Sequence, residues 1–434
     1  MRLKRTKLKV PQFKKNLFER LRKYSLERLE HFKRIDKLTL VLVMILFGIG
    51  LLMIYSITSI SIYNGIDGDP SNYFIKTIVM GGVGIAVMIF ILLLPEPLLK
   101  LVSFLALVTC PFILIITYLF AKGSESSNVR SWFTIGGFKL QPAEFVKIGM
   151  IMAIAWLVEY LIKKKTYYYK IPFFFKGFKL KRAVRSHFAI LLYIGVCAGL
   201  VLIQPDFGSA LILGFIGLIM FLSTGIDWET LRTIVAWGGT VLISCFIAMA
   251  KFFPYQLERF DIWLDPFNHT KGFQNVMGYT AIALGGITGV GLGKSTQKYG
   301  YVLEPHNDMI STILAEELGV WMILIIIAIY LTLALRCFSN AIKCKDMYGA
   351  LVSVGIGAIF LIQPLVNLGG ASGAFPLTGV TLPFISYGGS SLVSLFAGIG
   401  VYLNVAMIRV VKEKKQKEEN QETIKKKVLQ FPKS

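Results

Sequence analysis

Charge is scarce in this sequence: Asp, Glu, Lys and Arg make up only 17% of the 434 residues, while 55% are hydrophobic. That excludes a disordered chain and an ordinary cytosolic enzyme. Acids are the scarcer sign, 25 against 47 Lys and Arg, a formal net charge of +22. Such an excess in a soluble protein suggests nucleic acid. No basic motif interleaved with aromatics is present, so nucleic acid is set aside as a partner. Cysteine is rare as well. Cys110, Cys197 and Cys245 lie in apolar runs, and Cys337 and Cys344 lie in or near a basic loop. None has zinc-ligand spacing, and no disulfide framework follows. There are four histidines. His269 and His306 share one loop, but a metal site needs three or four convergent ligands, so no metal ligand is assigned. A cleavable secretory signal is also lacking. The first apolar run starts near Leu38 after a long basic arm and reads as an uncleaved signal.

What the chain does have is apolar runs. A helix needs about 20 apolar residues to cross the hydrocarbon core. Runs near that length fall at 38–57, 75–95, 99–120, 143–162, 188–203, 208–223, 230–250, 310–335, 347–366 and 383–408. The expected fold is an all-α polytopic membrane protein of about ten transmembrane helices. Residues 1–37, 163–187, 336–346 and 409–434 hold 14, 9, 3 and 9 Lys and Arg, together 35 of the 47. Ten spans place all four segments on one side, and the positive-inside rule makes that side cytoplasmic. The expected organisation is a basic cytoplasmic arm (1–37), a ten-helix membrane domain (38–409) and a charged cytoplasmic tail (410–434), with both termini inside. The arm is either an amphipathic surface helix with Phe13, Leu17, Leu21 and Phe32 towards lipid or a solvated basic segment. The tail reads as a disordered or frayed helical segment. A large outer loop, 251–309, separates spans seven and eight. Its apolar stretches predict re-entrant or interfacial helices.

Several segments combine polar chemistry with membrane placement. Arg130, Trp132, Gln141, Glu144 and Lys147 gather at the entry to the fourth span. Glu144 and Lys147 are three apart and share a helix face. They form either a structural ion pair or one wall of an outward polar cleft. Gln204-Pro-Asp206 separates two short spans, where Asp206 is expected to cap the following helix. Tyr301-Val-Leu-Glu304-Pro-His306-Asn-Asp308 precedes the eighth span and puts two acids and a histidine just outside the membrane, where the plain reading of Asp308 is that helix's amino cap. Glu316 and Glu317 follow inside an apolar run and suggest an inward polar path. Pro376 to Ser391 is a kinked entry to the tenth span, with Ser386 and Ser390 available to a ligand or to neighbouring helices. Gly291-Leu-Gly-Lys-Ser295 imitates the end of a phosphate loop, but Thr288 stands where that loop needs glycine. The glycine run 285–293 is read as close backbone packing. Asn268-His-Thr270 matches a glycosylation sequon on three residues alone.

Taken in order, these segments resemble the SEDS family, the shape, elongation, division and sporulation proteins. The matching residues are Arg130-Ser-Trp132, Gln141-Pro-Ala-Glu144-Phe-Val-Lys147 and Gln204-Pro-Asp206-Phe-Gly208-Ser-Ala210. They continue with Glu258-Arg259-Phe, Trp263-Leu-Asp265-Pro-Phe267, Gly285-Gly286 with Gly289-Val-Gly-Leu-Gly293, Glu304 to Asp308, Glu316-Glu317-Leu-Gly319 and Pro376 to Ser391. The resemblance implies a glycosyltransferase that polymerises lipid II into β-1,4-linked glycan at the outer face of the bacterial cytoplasmic membrane. It implies that Asp308 is the essential acid, taking the proton of the acceptor 4-hydroxyl. Arg130, Lys147 and Arg259 become the candidate cations for the departing pyrophosphate, and a divalent cation, Mg or Mn, is a possible cofactor. Trp132, Gln141, Glu144, Glu304, Ser386 and Ser390 complete the expected substrate-binding set. The family usually carries His-Thr-Asp-Phe where this chain has His306-Asn307-Asp308-Met309, which leaves acceptor positioning open. Leu368-Gly-Gly-Ala-Ser-Gly373 is more similar to the division branch, the FtsW type, than to the elongation branch, the RodA type, and so implies work at the septum. The implied partners are the growing undecaprenyl-linked glycan, a class B penicillin-binding transpeptidase and other divisome or elongasome membrane proteins. No soluble domain with a Ser-x-x-Lys signature is present to cross-link strands. A lipid II flippase and a non-catalytic division scaffold are the alternatives.

Overall fold

A computed structural model of the chain describes residues 35–63, 71–121, 131–135, 138–163, 182–225, 232 and 254–429. Arg130, Cys245, the basic arm 1–34 and nearly all of the expected seventh span lie outside them. Helices dominate. They are α1 Lys37–Tyr63, α2 Ser71–Leu93, α3 Glu96–Phe120, α4 Pro142–Lys163, α5 Arg182–Ile203 and α6 Phe207–Leu222. After these come α7 Pro254–Leu264, α8 Phe273–Gly285, α9 Ile310–Leu318, α10 Val320–Lys343, α11 Met347–Ala371 and α12 Gly389–Leu429. A two-stranded antiparallel hairpin, β1 Phe133–Ile135 and β2 Phe138–Leu140, pairs Phe133 with Leu140.

Among the described residues seven helices are long and apolar enough to cross a membrane, and the helical parts of α5 and α6 are shorter apolar segments. The chain is therefore a multi-pass membrane protein of the expected all-α class. In α12 and α11, 83% and 72% of the apolar window is buried, against 28% in α2 and α3. So α11 and α12 are the central helices, with α11 packed by α4, α6, α10 and α12, while α2 and α3 turn apolar faces outward to lipid.

Contacts divide the molecule into two polar ends. At one, Asp36 receives Arg336 at 2.6 Å and the Tyr402 hydroxyl at 3.2 Å, joining the start of α1 to α10 and α12. At the same end Lys412 of α12 meets Glu96 at 2.8 Å, and Lys100 meets Glu159 at 3.0 Å. At the other lie Ser56 late in α1, the hairpin, the start of α4, the turn at Asp206 and the start of α12.

Two expectations change. The eighth span was expected as one helix over 310–335, but it is two, broken at Gly319 (φ +83°). The break has a partner. Val290 and Gly291 N–H groups donate to the carbonyls of Glu316 and Glu317 at 2.9 Å, and Val320 N–H returns a bond to Gly286 at 3.1 Å. A Cβ at Gly319 would sit 2.2 Å from the Ile287 carbonyl, and one at Gly285 would sit 2.1 Å from that of Ala315. The glycine run is thus a backbone-to-backbone crossing, as expected of it, and no phosphate loop: Ser295 Oγ donates to Glu316 at 2.5 Å.

The tenth span was expected from residue 383, but α12 starts at Gly389. Residues 381–388 are non-helical and mostly buried, and Tyr330 donates to the Pro383 carbonyl at 2.5 Å. Irregular backbone at this depth is tolerated because protein, not lipid, surrounds it. The tail, expected as disordered or as a frayed helix, is helical and continues α12 to Leu429, with Arg409–Glu413 and Lys414–Glu418 pairs one turn apart. The 251–309 loop does carry short helices, α7 and α8, in agreement with its apolar stretches.

Candidate active site

Asp308 ends the turn before α9. It is not a helix cap: the cap position is Met309, and Ile310 begins the helix. Its own carbonyl is held by Asn367 Nδ2 at 2.8 Å, and the same amide group holds the Val380 carbonyl at 2.7 Å. Asn367, at the end of α11, thereby locks the Asp308 backbone to the 376–391 segment. The carboxyl group is only partly exposed. Burial pushes its pKa up to about 6, helped by the negative charge of Glu304 and opposed by Arg259. A carboxylate tuned to that range is a competent general base near neutral pH.

Arg259 of α7 is aimed by a bond from Nη1 to the Leu377 carbonyl at 3.0 Å. Trp263, one turn on, donates to the Gly373 carbonyl at 2.7 Å. The two bonds fasten α7 to the loop after α11 and so bring a cation to the acid's side. Glu304 is exposed and takes a positive φ of 45°, with Asn307 Nδ2 on its carboxylate at 2.6 Å. Asp308, Arg259 and Glu304 are thus gathered at one place.

The remaining expected residues form a neighbouring, more closed cluster. Glu144 and Lys147 pair at 2.8 Å and are almost wholly buried, and Lys147 Nζ also donates to Gln363 at 3.1 Å. Glu144 Oε2 has no hydrogen-bond partner. Gln141 Nε2 donates to Asp206 at 2.7 Å, and Asp206 caps α6 through the Ser209 N–H at 3.1 Å, as expected of it. Ser386 Oγ accepts the Leu382 N–H at 2.8 Å. Trp132 stands 40% exposed before the hairpin. Ser390 Oγ donates to the Lys139 carbonyl at 3.1 Å and accepts the Gln141 N–H at 3.0 Å. It is a strut between α12 and the hairpin. Ser390→Ala is expected to cost about 1–3 kcal/mol by leaving two backbone groups without that partner, read as a lowered thermal midpoint in detergent.

Glu316 and Glu317 face inward, and both acids are fully buried and engaged in an internal polar network. Glu316 accepts from Ser295, Thr296 and Gln297, and Glu317 accepts from Ser56 at 2.8 Å and Lys298 at 2.5 Å. The residues missed from sequence are Ser56, Lys298 and Asn367. Of these, Asn367 alone carried a signal, an amide inside an apolar run. Among the described residues no three His, Cys, Asp or Glu side chains converge to hold a metal ion.

Known proteins bear on this arrangement. The sequence model of the FtsW/RodA/SpoVE family, described as a cell cycle protein, matches residues 36–410. The probable peptidoglycan glycosyltransferase FtsW of Bacillus subtilis strain 168 is 38% identical over 391 residues, covering 87% of this chain and 92% of that one. Stage V sporulation protein E of the same organism is 33% identical, covering 86% and 96%. A solved structure described as a peptidoglycan synthase complex coordinating polymerization and crosslinking superposes with a TM-score of 0.68 at 25% identity, covering 86% of this chain and 98% of that one. The rod shape determining protein RodA of Thermus thermophilus shares the fold, with a TM-score of 0.60 at 23% identity over 86% and 97%. With a match across this much of its length, the chain belongs to the FtsW/RodA/SpoVE family.

Proposed function

We propose that this protein is a peptidoglycan glycosyltransferase of the FtsW type, joining lipid II units at the outer face of the bacterial cytoplasmic membrane. The observation that carries the reading is the partly exposed Asp308 carboxyl, raised to about 6 and faced by Arg259. The donor sugar is α-linked to undecaprenyl pyrophosphate, and the product bond is β-1,4, so one displacement with inversion suffices. Asp308 takes the proton from the acceptor 4-hydroxyl as its oxygen attacks the anomeric carbon. The bond to the pyrophosphate breaks, and Arg259 balances the charge that leaves. Arg130 is a further candidate cation. Lys147 is engaged by Glu144 and Gln363, so its part is to shape the cleft wall with Gln141, Glu144, Ser386 and Ser390. Trp132 and Glu304 are open to substrate. A divalent cation would draw on Glu304 and Asp308 for protein oxygens and would need the rest from the pyrophosphate.

The FtsW reading, with enrichment at the septum, is supported by 38% identity to a relative of that name. Both termini belong on the cytoplasmic side, and the proposed domain division is 1–37, 38–409 and 410–434. The natural partner is a class B penicillin-binding transpeptidase within a divisome, a reading supported by the likeness to a peptidoglycan synthase complex that coordinates polymerization and crosslinking. Internal engagement of Glu316, Glu317 and Lys147 favours chemistry over transport. The purified protein, assayed in detergent with and without its transpeptidase, is expected to convert lipid II to glycan strands. Lipid II translocation in sealed vesicles with no polymer in detergent would replace this reading by the flippase.

A further inference from the structure

Beside Asp308 lies a group of rings that the reaction above does not use. Tyr73 at the outer start of α2, His306 two residues before Asp308, and Tyr387 just before α12 are mutually packed. Centroids are 4.5 Å apart for Tyr73 and His306, 5.0 Å for Tyr73 and Tyr387, and 5.6 Å for His306 and Tyr387. The Tyr387 N–H donates to the His306 carbonyl at 2.8 Å, so the two outer segments move as one. Tyr73 is 39% exposed, and the other two rings are partly exposed. The cluster is therefore open on one side, not a closed core. His306 lies two residues before Asp308 in the same turn, which sets the rings beside the acid.

A pyranose presents an apolar C–H face and a rim of hydroxyls. Aromatic faces with polar edges suit that shape, giving large contact area and orientation at once. We propose that Tyr73, His306 and Tyr387 form an aromatic cradle that seats the acceptor N-acetylglucosamine ring so that its 4-hydroxyl reaches Asp308. This rests on the glycosyltransferase reading and deepens it. The cradle binds the acceptor and takes no part in proton transfer, so its loss acts on binding more than on the chemical step. The plainer role for tyrosines at this height is an anchor at the membrane–water interface.

The two roles separate in steady-state kinetics of the full-length protein on lipid II, with thermal midpoints measured alongside. Tyr73→Leu is expected to raise KM by about tenfold, equal to about 1.4 kcal/mol and within the range of one aromatic contact, while kcat falls less than about threefold. Tyr73→Phe, which keeps the ring, is expected to bring KM back towards the wild-type value. Wild-type KM in Tyr73→Leu, with or without a lowered midpoint, would overturn the cradle and leave the anchor. Equal KM increases in the Leu and Phe variants would also overturn it, because the ring face would then not be the contact. Absence of polymerisation by the wild type would instead remove the glycosyltransferase reading itself.

Discussion

Asp308→Asn is expected to lower lipid II polymerisation by the purified protein by about 10²- to 10⁴-fold, the usual range for removing a general base. Asn keeps the size of the side chain and removes its ability to accept a proton. The protein should still insert and fold. It should in fact become more heat-stable at neutral pH. The folded pKa is raised above 3.8 to about 6, chiefly by burial. A carboxyl of that kind contributes stability only while protonated, fully at low pH, and loses it as pH rises through about 6. At neutral pH the charge therefore costs stability, and Asn removes the cost. Activity runs the opposite way. The base must be ionised, so the wild-type rate should fall as pH drops below about 6. Arg259→Ala removes a charge that favours ionisation and should move this limb towards neutral pH. Glu304→Gln removes one that opposes ionisation and should move it down. Wild-type turnover by Asp308→Asn, or an acid limb indifferent to both neighbours, would end the assignment of Asp308 as base.

Much of this architecture was legible in the sequence, because membrane helices announce themselves by length and composition. Nine of the ten expected spans meet apolar helices among the described residues. Asp206 as a cap and the glycine run as a backbone crossing were also legible, since each depends on local residue type. What escaped were features set by distant partners. The apolar pattern resumes directly after Gly319, so 310–335 reads as one span, and a single glycine after two acids is a weak local stop signal. The break exists because residues 286–291 supply backbone bonds across it. The late start of α12 was hidden likewise, because 383–388 is apolar enough for a span and is held off helical form by buried neighbours such as Tyr330. In the tail, mixed Lys and Glu leave a disordered and a frayed helical segment open, and their four-residue spacing decides for the helix. At the site, Asp308 and Arg259 lie 49 positions apart in the chain, and only the anchoring of α7 to Leu377 and Gly373 brings them together.

Lys298→Met is expected to destabilise the protein by about 3–5 kcal/mol, the range for stripping one partner from a buried ion pair. Lys298 and Glu317 are both wholly inaccessible and meet at 2.5 Å, with Ser56 donating to Glu317 and receiving Lys298 at 2.9 Å. Without the ammonium, Glu317 keeps one hydroxyl for a full charge in a dry site. Glu317→Leu alone leaves Lys298 equally stranded. The two changes together replace the pair by apolar side chains and should recover most of the loss, so the double-mutant cycle should show strong positive coupling. Thermal midpoints of the four proteins in detergent give the answer, and additive losses would show that the pair is not the unit of stability. The consequence for activity follows from where the pair sits. Glu317 closes α9, whose other end is one residue beyond Met309, and the same pair ties that helix to Ser56 of α1. A nine-residue helix carries any displacement of its end to Asp308 almost undiminished. Each single variant should therefore lose catalytic rate along with stability, and the apolar double variant should regain both, although none of the three residues touches substrate.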